Sequence, residues 1–315
     1  MTLDERRKLL PLATRAALAS VGMAVFLFGL KSFAAWHTGS VAMLGSLADT
    51  GLDLLASLVT LYGVRLAAQP ADHDHRFGHG KAEALAALFQ VALITASAGG
   101  IAWRAVLAMG ETDPTQDAGF GIGVSIVAIA ATGVLLWYQR RVIRSTGSVA
   151  IRADNVHYQS DVLLNAAVIA ALVLDQWFGW HGADPLFGIA IALWLAFGAF
   201  KASSNAIDQL MDKEWPERQR AAFLDVAARQ DGLKGIHDFR TRRSGAQDFA
   251  QFHMEVDRRL TVGAAHDLVE GVERNLKRAF PKVEVLIHLD PEGHVDTDNP
   301  LVEADVTPHW FGKRL

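Results

Sequence analysis

Six long apolar segments alternate with short polar connections over the first two thirds of the chain. They cover about 14–36, 41–67, 82–109, 119–141, 150–176 and 184–204. A helix needs roughly 20 mostly apolar residues to cross the hydrocarbon core of a bilayer. Runs such as FGIGVSIVAIAATGVLLW leave no polar face for water, which disfavours a soluble helical protein. The pattern therefore predicts an α-helical membrane protein with a six-helix transmembrane bundle.

The periodicity of the apolar positions changes near residue 206. Pro216 opens a helix, and the runs GIHDFRTRRS and DFAQFHMEVDR alternate as strands do. A helix over about 262–279 and the strand KVEVLIHLD complete an αββαβ order, which indicates a small antiparallel-rich α+β domain. We expect a transmembrane domain over 1–205, an α+β domain over 206–291, and a polar, poorly ordered tail over 292–315.

The basic residues indicate how the bundle is oriented. They cluster before the first segment, between the second and third, and around the connection of the fourth and fifth: Arg6, Arg7, Lys8, Arg15, Arg65, Arg76, Lys81, Arg140, Arg141, Arg144 and Arg152. The alternate connections contain none, so the positive-inside rule places both termini in the cytoplasm. No small-residue cleavage site follows the first segment, so we expect it to be retained as an anchor.

Composition excludes several kinds of chemistry. The chain has no Cys, which removes disulfides, thiolate ligands and thiol catalysis. The net charge of −4 argues against nucleic acid as a partner. The string GHGKA lacks the GxxxxGK[ST] pattern, so nucleotide hydrolysis is unsupported.

Two polar pairs lie inside the apolar segments, Asp49/Asp53 and His157/Asp161. The i, i+4 spacing puts both members of a pair on one helix face, and a three-carboxylate, one-imidazole set suits a divalent transition metal. The alternative is a pair of structural ion pairs, but three acids with one His leave negative charge that requires a cation or protons. Lys31 and Arg104 are possible counter-charges, or they extend towards an interface.

Three further groups of polar residues are candidates for binding. Asp154, one turn before His157, is expected near the cytoplasmic mouth as an outer attractor for cations. The connection between the second and third segments forms either a Zn²⁺ site or an ordinary solvated loop, and it contains Asp72, His73, Asp74, His75 and His79. The third group holds two metal ions if Asp290 bridges them, or else consists of isolated side chains: His237, His253, His266, His288 and Asp290.

The chain resembles the cation diffusion facilitators, and most closely their bacterial zinc and ferrous-iron efflux branch. The motifs that carry the resemblance are SLADTGLD, PADHDHRFGHGKAE, HYQSD and IHLDP, and the similarity extends to about Pro291. The resemblance implies a transport site of Asp49, Asp53, His157 and Asp161, a loop site of Asp72, His75 and His79 with His73 and Asp74 as bystanders, a cytoplasmic binuclear site of His237, His253, His266, His288 and Asp290, and an interlocking charge pair of Lys81 and Asp212. Leu289 offers only backbone to a metal.

The resemblance also implies a fold, a partner and an activity. It implies a homodimer in the inner membrane with a metallochaperone-like, ferredoxin-like cytoplasmic domain, and export of Zn²⁺ or Cd²⁺ in exchange for protons. Fe²⁺, Co²⁺ and Mn²⁺ remain alternative substrates, although one nitrogen ligand favours Zn²⁺ over Mn²⁺. A membrane-anchored metal sensor is a second alternative. An intramembrane metalloprotease would need a motif such as HExxH, which the chain lacks, so we expect a transporter and not an enzyme.

Overall fold

The computed structural model describes residues 3–38, 41–109, 118–178 and 183–294. The chain divides into two compact units, one of residues 9–207 and one of residues 208–315 together with 1–8. Each unit is described by itself. The predicted tail begins at residue 292, and its part from 295 to 315 lies outside the described residues.

Six long helices account for the membrane part, as predicted. They are α1 Leu3–Thr38, α2 Val41–Ala67, α3 Ala82–Ala108, α4 Ala118–Thr146, α5 Val149–Phe178 and α6 Ala183–Leu210. Several are longer than the apolar segments, since α1 begins near residue 3 instead of 14 and α6 ends at 210 instead of 204. Hydropathy measures the part of a helix that suits hydrocarbon, whereas backbone hydrogen bonding continues into charged turns at either end.

Five of these helices are long and apolar enough to cross a membrane. Among the described residues the apolar stretches are Leu12–Phe33, Thr50–Ala67, Ala82–Leu107, Ser125–Thr146 and Pro185–Leu210. Helix α5 is not one of the five, and it is also the helix that carries His157 and Asp161. Many large apolar side chains of the bundle face outward, for example Trp103 and Phe200, as expected for a surface solvated by lipid.

The helices approach one another closely through small residues. A Cβ added at Gly63 of α2 would lie 2.4 Å from the Cβ of Ala86 on α3, so no larger side chain fits there without moving the helices apart. On α3 and α6, Ile94 and Ala98 pack with Leu195 and Ala199, and Val156 of α5 lies against the same cluster. Van der Waals packing of this kind, rather than water exclusion, associates helices inside a bilayer.

A two-residue connection joins α4 to α5. Gly147 adopts a positive φ of 71° and donates its N–H to the carbonyl of Ile143, which ends α4. Ser148 then begins α5, because its hydroxyl accepts the N–H of Ile151 at 3.3 Å. The shortness of this connection makes α4 and α5 antiparallel neighbours.

The second unit has the predicted αββαβ order. Its elements are α7 Glu217–Ala227, β1 Leu233–Ser244, β2 Gln247–Val256, α8 Val262–Ala279 and β3 Val283–Pro291. The sheet order is β1-β2-β3, with β1 and β2 antiparallel and β2 and β3 parallel. The parallel pair needs a crossover, and α8 supplies it; Thr261 caps α8 by accepting the N–H of Ala264.

The sheet packs one face against α7 and α8. Phe223 is fully buried and stacks on Phe239 with ring centroids 5.3 Å apart, while Phe252 meets it edge-on. On β3 the odd-numbered residues 283–289 pack into this core, and Glu284, Leu286 and His288 are exposed. The strand period therefore leaves the histidines and carboxylates of β2 and β3 together on the other face.

Candidate metal sites

Three of the four intramembrane residues converge between α2 and α5. One atom from each of Asp53, His157 and Asp161 lies within 4.8 Å of the others. The Nε2 of His157 is 3.0 Å from Asp53 Oδ1 and 4.0 Å from Asp161 Oδ2. Nevertheless Nε2 is not aligned for a hydrogen bond with either carboxylate within the described structure. Short distances without a hydrogen bond are expected where ligand atoms are directed at a shared metal position instead of at one another. We call these three residues the membrane trio.

Asp49, the fourth predicted ligand, has a described backbone but a side chain that lies outside the described residues. It precedes Asp53 by one turn of α2 and so lies on the same face of that helix. Next to it in the chain, Thr50 is buried and accepts a hydrogen bond of 2.7 Å from the Nζ of Lys31. Lys31 is therefore held inside the bundle beside the ligand-bearing turn of α2, whereas the side chain of Arg104 is exposed.

A buried polar layer lies one turn from the membrane trio, on the side of the α4–α5 connection. We define the polar layer as Ser20 of α1, Gln139 of α4, and Asp154, Asn155 and Tyr158 of α5; all are at most 5% exposed. The Oδ2 of Asp154 accepts hydrogen bonds from the hydroxyl of Ser20 at 2.6 Å and from Nε2 of Gln139 at 2.7 Å.

The remaining bonds of the polar layer extend it to four helices. Asn155 donates to Oε1 of Gln139 at 2.8 Å. The Tyr158 hydroxyl donates to the carbonyl of Ser20 at 2.8 Å and lies 3.0 Å from the hydroxyl of Ser57 on α2. The expectation that Asp154 acts as an outer attractor is wrong, because α1 and α4 cover it completely and its exposure is 0%. Asp154 lies three residues before His157 and so faces the interior of the bundle as His157 does. Hydropathy along the chain does not reveal which helices cover that face.

The three residues of the predicted loop site, Asp72, His75 and His79, lie close together. One ligand atom of each lies within 4.8 Å of the others, and the Asp72 carboxylate is 3.3 Å from His75 Nδ1 and 3.4 Å from His79 Nε2. Hydrogen bonds from the backbone N–H of His75 and of Asp74 hold the pKa of Asp72 below its usual value, and the two histidines act in the same direction. His73 and Asp74 are exposed and outside this group.

The predicted cytoplasmic site is only partly assembled in the chain. His237, His253 and Asp290 each place one ligand atom within 4.8 Å of the others. His253 Nδ1 lies 2.7 Å from Asp290 Oδ2, and His237 Nε2 lies 3.4 Å from the same oxygen. The register explains the grouping, because His237 pairs with His253 across β1 and β2, and His253 pairs with His288 across β2 and β3.

Two predicted members of the cytoplasmic site lie outside this trio. His288 is 66% exposed and faces the other carboxylate oxygen of Asp290, Oδ1, at 3.4 Å. His266 is 68% exposed on α8 and lies 3.7 Å from Glu270, one turn along its own helix. Asp290 therefore has histidines on both of its oxygens, as a bridging carboxylate would, while His266 is not brought to the carboxylate within the chain.

Sequence reasoning missed two carboxylates beside the cytoplasmic trio. Asp238 has a φ of 48° at a β-bulge between His237 and Arg240, and its Oδ2 lies 3.7 Å from His253 Nε2. Glu255 Oε1 lies 3.4 Å from His237 Nδ1. Glu255 follows His253 by two residues on β2, so the strand period was a usable signal for it. The bulge that turns Asp238 is not visible in the period of the strand.

The predicted charge pair joins residues of different units. Lys81 directly precedes α3, and Asp212 follows α6 with a φ of 56°, its Oδ2 3.9 Å from Arg242. The pairing of Lys81 with Asp212 stays a prediction.

Comparisons with known proteins cover nearly the whole described chain. Residues 17–211 match the cation efflux transmembrane domain, and residues 215–292 match the cytoplasmic domain of cation efflux proteins. The chain is 42% identical over 292 residues to the cation-efflux pump FieF of Salmonella schwarzengrund, covering 93% of this chain and 97% of that one. It is 43% identical over 280 residues to the FieF pump of Salmonella arizonae, covering 89% of this chain and 93% of that one.

Solved structures resemble the C-terminal part of the chain. One is the metal-bound C-terminal domain of the CzcD transporter from Thermotoga maritima, at 28% identity and a TM-score of 0.24, covering 26% of this chain and all of that domain.

Proposed function

The chain belongs to the cation efflux family, and from that premise we propose that it exports Zn²⁺ from the cytoplasm in exchange for protons. The observation that carries the proposal is the membrane trio, in which one ligand atom of each of two carboxylates and an imidazole from α2 and α5 lies within 4.8 Å of the others. Asp49 would complete a set of one nitrogen and three oxygen donors. Such a set suits Zn²⁺ and Cd²⁺. A metal ion that prefers sulfur ligands, or one that prefers only oxygen ligands, would need different donors.

The chemistry of these ligands supplies the coupling to protons. A metal ion binds deprotonated ligands, so binding releases protons and protonation releases the ion. In a bundle interior, carboxylates without a cation leave negative charge at high cost, so the site holds either the ion or protons. Alternating access to one site near the bilayer midplane then exchanges Zn²⁺ for protons across the membrane. The Nζ of Lys31 is hydrogen-bonded to Thr50, next to the turn of α2 that carries the ligands. Its positive charge offsets part of the negative charge of the carboxylates while the site exchanges the ion for protons.

The other two sites have supporting roles in this proposal. We assign Asp72, His75 and His79 to a cytoplasmic loop site, and His237, His253, His288 and Asp290 to a site that stabilises the cytoplasmic domains of a homodimer. The match to the cytoplasmic domain of cation efflux proteins supports the homodimer. The basic residues support an orientation with both termini in the cytoplasm, in a bacterial inner membrane. Zn²⁺ bound at the cytoplasmic site would stabilise whichever conformation of the cytoplasmic domains binds it more tightly.

A flux assay tests the transport site directly. Full-length protein is reconstituted into vesicles that contain a zinc-sensitive dye and carry an imposed pH gradient. We expect Asp53→Ala and Asp161→Ala to reduce zinc flux to the level of empty vesicles, because each removes a ligand of the trio. Asp74→Ala is the matched control, since it removes an exposed carboxylate outside every cluster and should leave flux unchanged.

Two results would contradict the proposal. Undiminished flux in Asp161→Ala would show that the trio does not carry the ion. Zinc binding without flux in the unmodified protein would instead favour the metal sensor. Competition by Cd²⁺, Fe²⁺, Co²⁺ and Mn²⁺ in the same vesicles ranks the substrates, and Mn²⁺ should compete least.

A further inference from the structure

We propose that the last turns of α4 form a binding site for an anionic phospholipid headgroup, made by Trp137, Arg140, Arg141 and Arg144. Together with Gly133 and Leu136, these side chains line a surface depression of about 570 Å³. Residues 133, 137, 140 or 141 and 144 follow one another at three- and four-residue steps, so they share one face of the helix. We call this surface the α4 basic face.

The three arginines of the α4 basic face have exposed side chains. Within the part of the chain that the structure describes, their guanidinium groups make no hydrogen bond or ion pair with protein. Arginines of the second unit behave differently: Arg243 binds Asp248 at 2.6 Å, and Arg274 binds Glu270 at 3.1 Å. Three like charges within two helical turns repel one another unless an anion lies between them. The α4 basic face is therefore complementary to a concentrated negative charge.

The position of the face in the helix identifies the kind of anion. The apolar stretch Ser125–Thr146 contains the arginines in its last turns, and α4 ends at the short Gly147–Ser148 connection. The step from Arg140 to Arg144 spans about 6 Å of the helix axis, which equals roughly the depth of one headgroup layer. Guanidinium groups bind phosphate oxygens in a bidentate manner. Phosphate at this depth belongs to a lipid.

Trp137 distinguishes a lipid site from a site for soluble phosphate. Its side chain is 64% exposed and lies about one turn closer to the middle of the apolar stretch than the arginines do. An indole at this level places its ring against the glycerol and upper acyl region, as tryptophans of membrane interfaces do. The face therefore offers phosphate contacts on one side and an apolar contact for the same ligand on the other. A soluble anion uses only the first.

The experiment measures retained lipid on the intact protein. Full-length protein is reconstituted with phosphatidylglycerol in a phosphatidylcholine background, transferred to detergent and examined by native mass spectrometry. The site variant is Arg140→Gln/Arg144→Gln. The charge-matched control is Arg65→Gln/Arg152→Gln, which removes two exposed arginines of α2 and α5. Since one basic residue near an anionic surface contributes a factor of about five, the site variant should bind phosphatidylglycerol about thirtyfold more weakly.

Each outcome decides the proposal. Loss of retained phosphatidylglycerol in the site variant, with retention unchanged in the control, supports the proposal. Failure of glycerol phosphate to displace the lipid also supports it. If the site variant and the control retain the same amount of phosphatidylglycerol, whether full or reduced, arginine attracts anionic lipid only in a general way. That result overturns the proposed site. If the Gln variant does not fold, Arg140→Lys/Arg144→Lys keeps the charge and removes the bidentate geometry. Retention equal to that of the unmodified protein in this variant overturns the site as well.

Discussion

Replacing Gln139 with Leu removes the central member of the polar layer while keeping the volume of the side chain nearly constant. Gln139 is fully buried and joins three helices, because its Nε2 donates to Ser20 and Asp154 and its Oε1 accepts from Asn155. After the substitution, the buried Asp154 carboxylate keeps only the hydrogen bond from Ser20. We expect the bundle to be destabilised.

The expected cost follows from the bonds that are lost. Hydrogen bonds between membrane helices contribute about 0.6 kcal/mol on average, and a bond to a charged group contributes about 1.5–3 kcal/mol. Two neutral bonds and one bond to Asp154 therefore amount to about 3–4 kcal/mol. The assay is unfolding of the full-length protein by SDS in mixed micelles, followed by tryptophan fluorescence.

Gln90 provides a control with the same substitution and the opposite expectation. It is also 0% exposed, on α3, but neither of its side-chain polar atoms has a hydrogen-bond partner in the described structure. Replacing an unpaired buried amide with Leu removes a desolvation penalty, so Gln90→Leu should be neutral or stabilising. If both variants shift the SDS midpoint equally, the polar layer does not contribute as argued, and the reasoning from hydrogen bonds is refuted.

Three further predictions concern packing and metal sites. Gly63→Ala should destabilise the bundle in the same SDS assay by about 1–3 kcal/mol, because the new methyl group collides with α3; Gly99→Ala, where no atom lies within 4 Å, should not. The lowered pKa of Asp72 keeps its carboxylate ionised to a lower pH than an ordinary aspartate. NMR should therefore show the hydrogen bonds from the loop backbone to Asp72 surviving acidification past the ordinary aspartate pKa and disappearing only below it. Calorimetric zinc titration should show His253→Ala weakening cytoplasmic binding more than His266→Ala; the reverse order would contradict the trio.

Much of this fold could be predicted because each level of the sequence pattern is simple. Apolar length alone identified six helices, and residue alternation identified the strands of the α+β domain. The i, i+4 spacing of His157 and Asp161 placed two of the three members of the membrane trio on one helix face before any packing was known. These features are local, and local spacing determines which side chains share a face.

The features that sequence reasoning missed depend on contacts between distant segments. Asp154 is buried because Gln139 and Ser20 cover it, 15 and 134 residues away in the chain. Asp238 turns toward His253 because of a β-bulge, whose extra residue changes the alternation of the strand. His266 shares a residue type with the cytoplasmic ligands but lies on α8, whose exposed face follows from how that helix packs on the sheet.

The polar layer also determines along which side helix α5 can shift. A shift of α5 against α1 and α4 would have to break the hydrogen bonds that Gln139 makes with Asp154 and Asn155. On another face of α5, Val156 packs against an aliphatic cluster of α3 and α6. Aliphatic contacts can be exchanged without leaving a buried polar atom unpaired. We therefore expect α5 to shift against α3 and α6 rather than against α1 and α4.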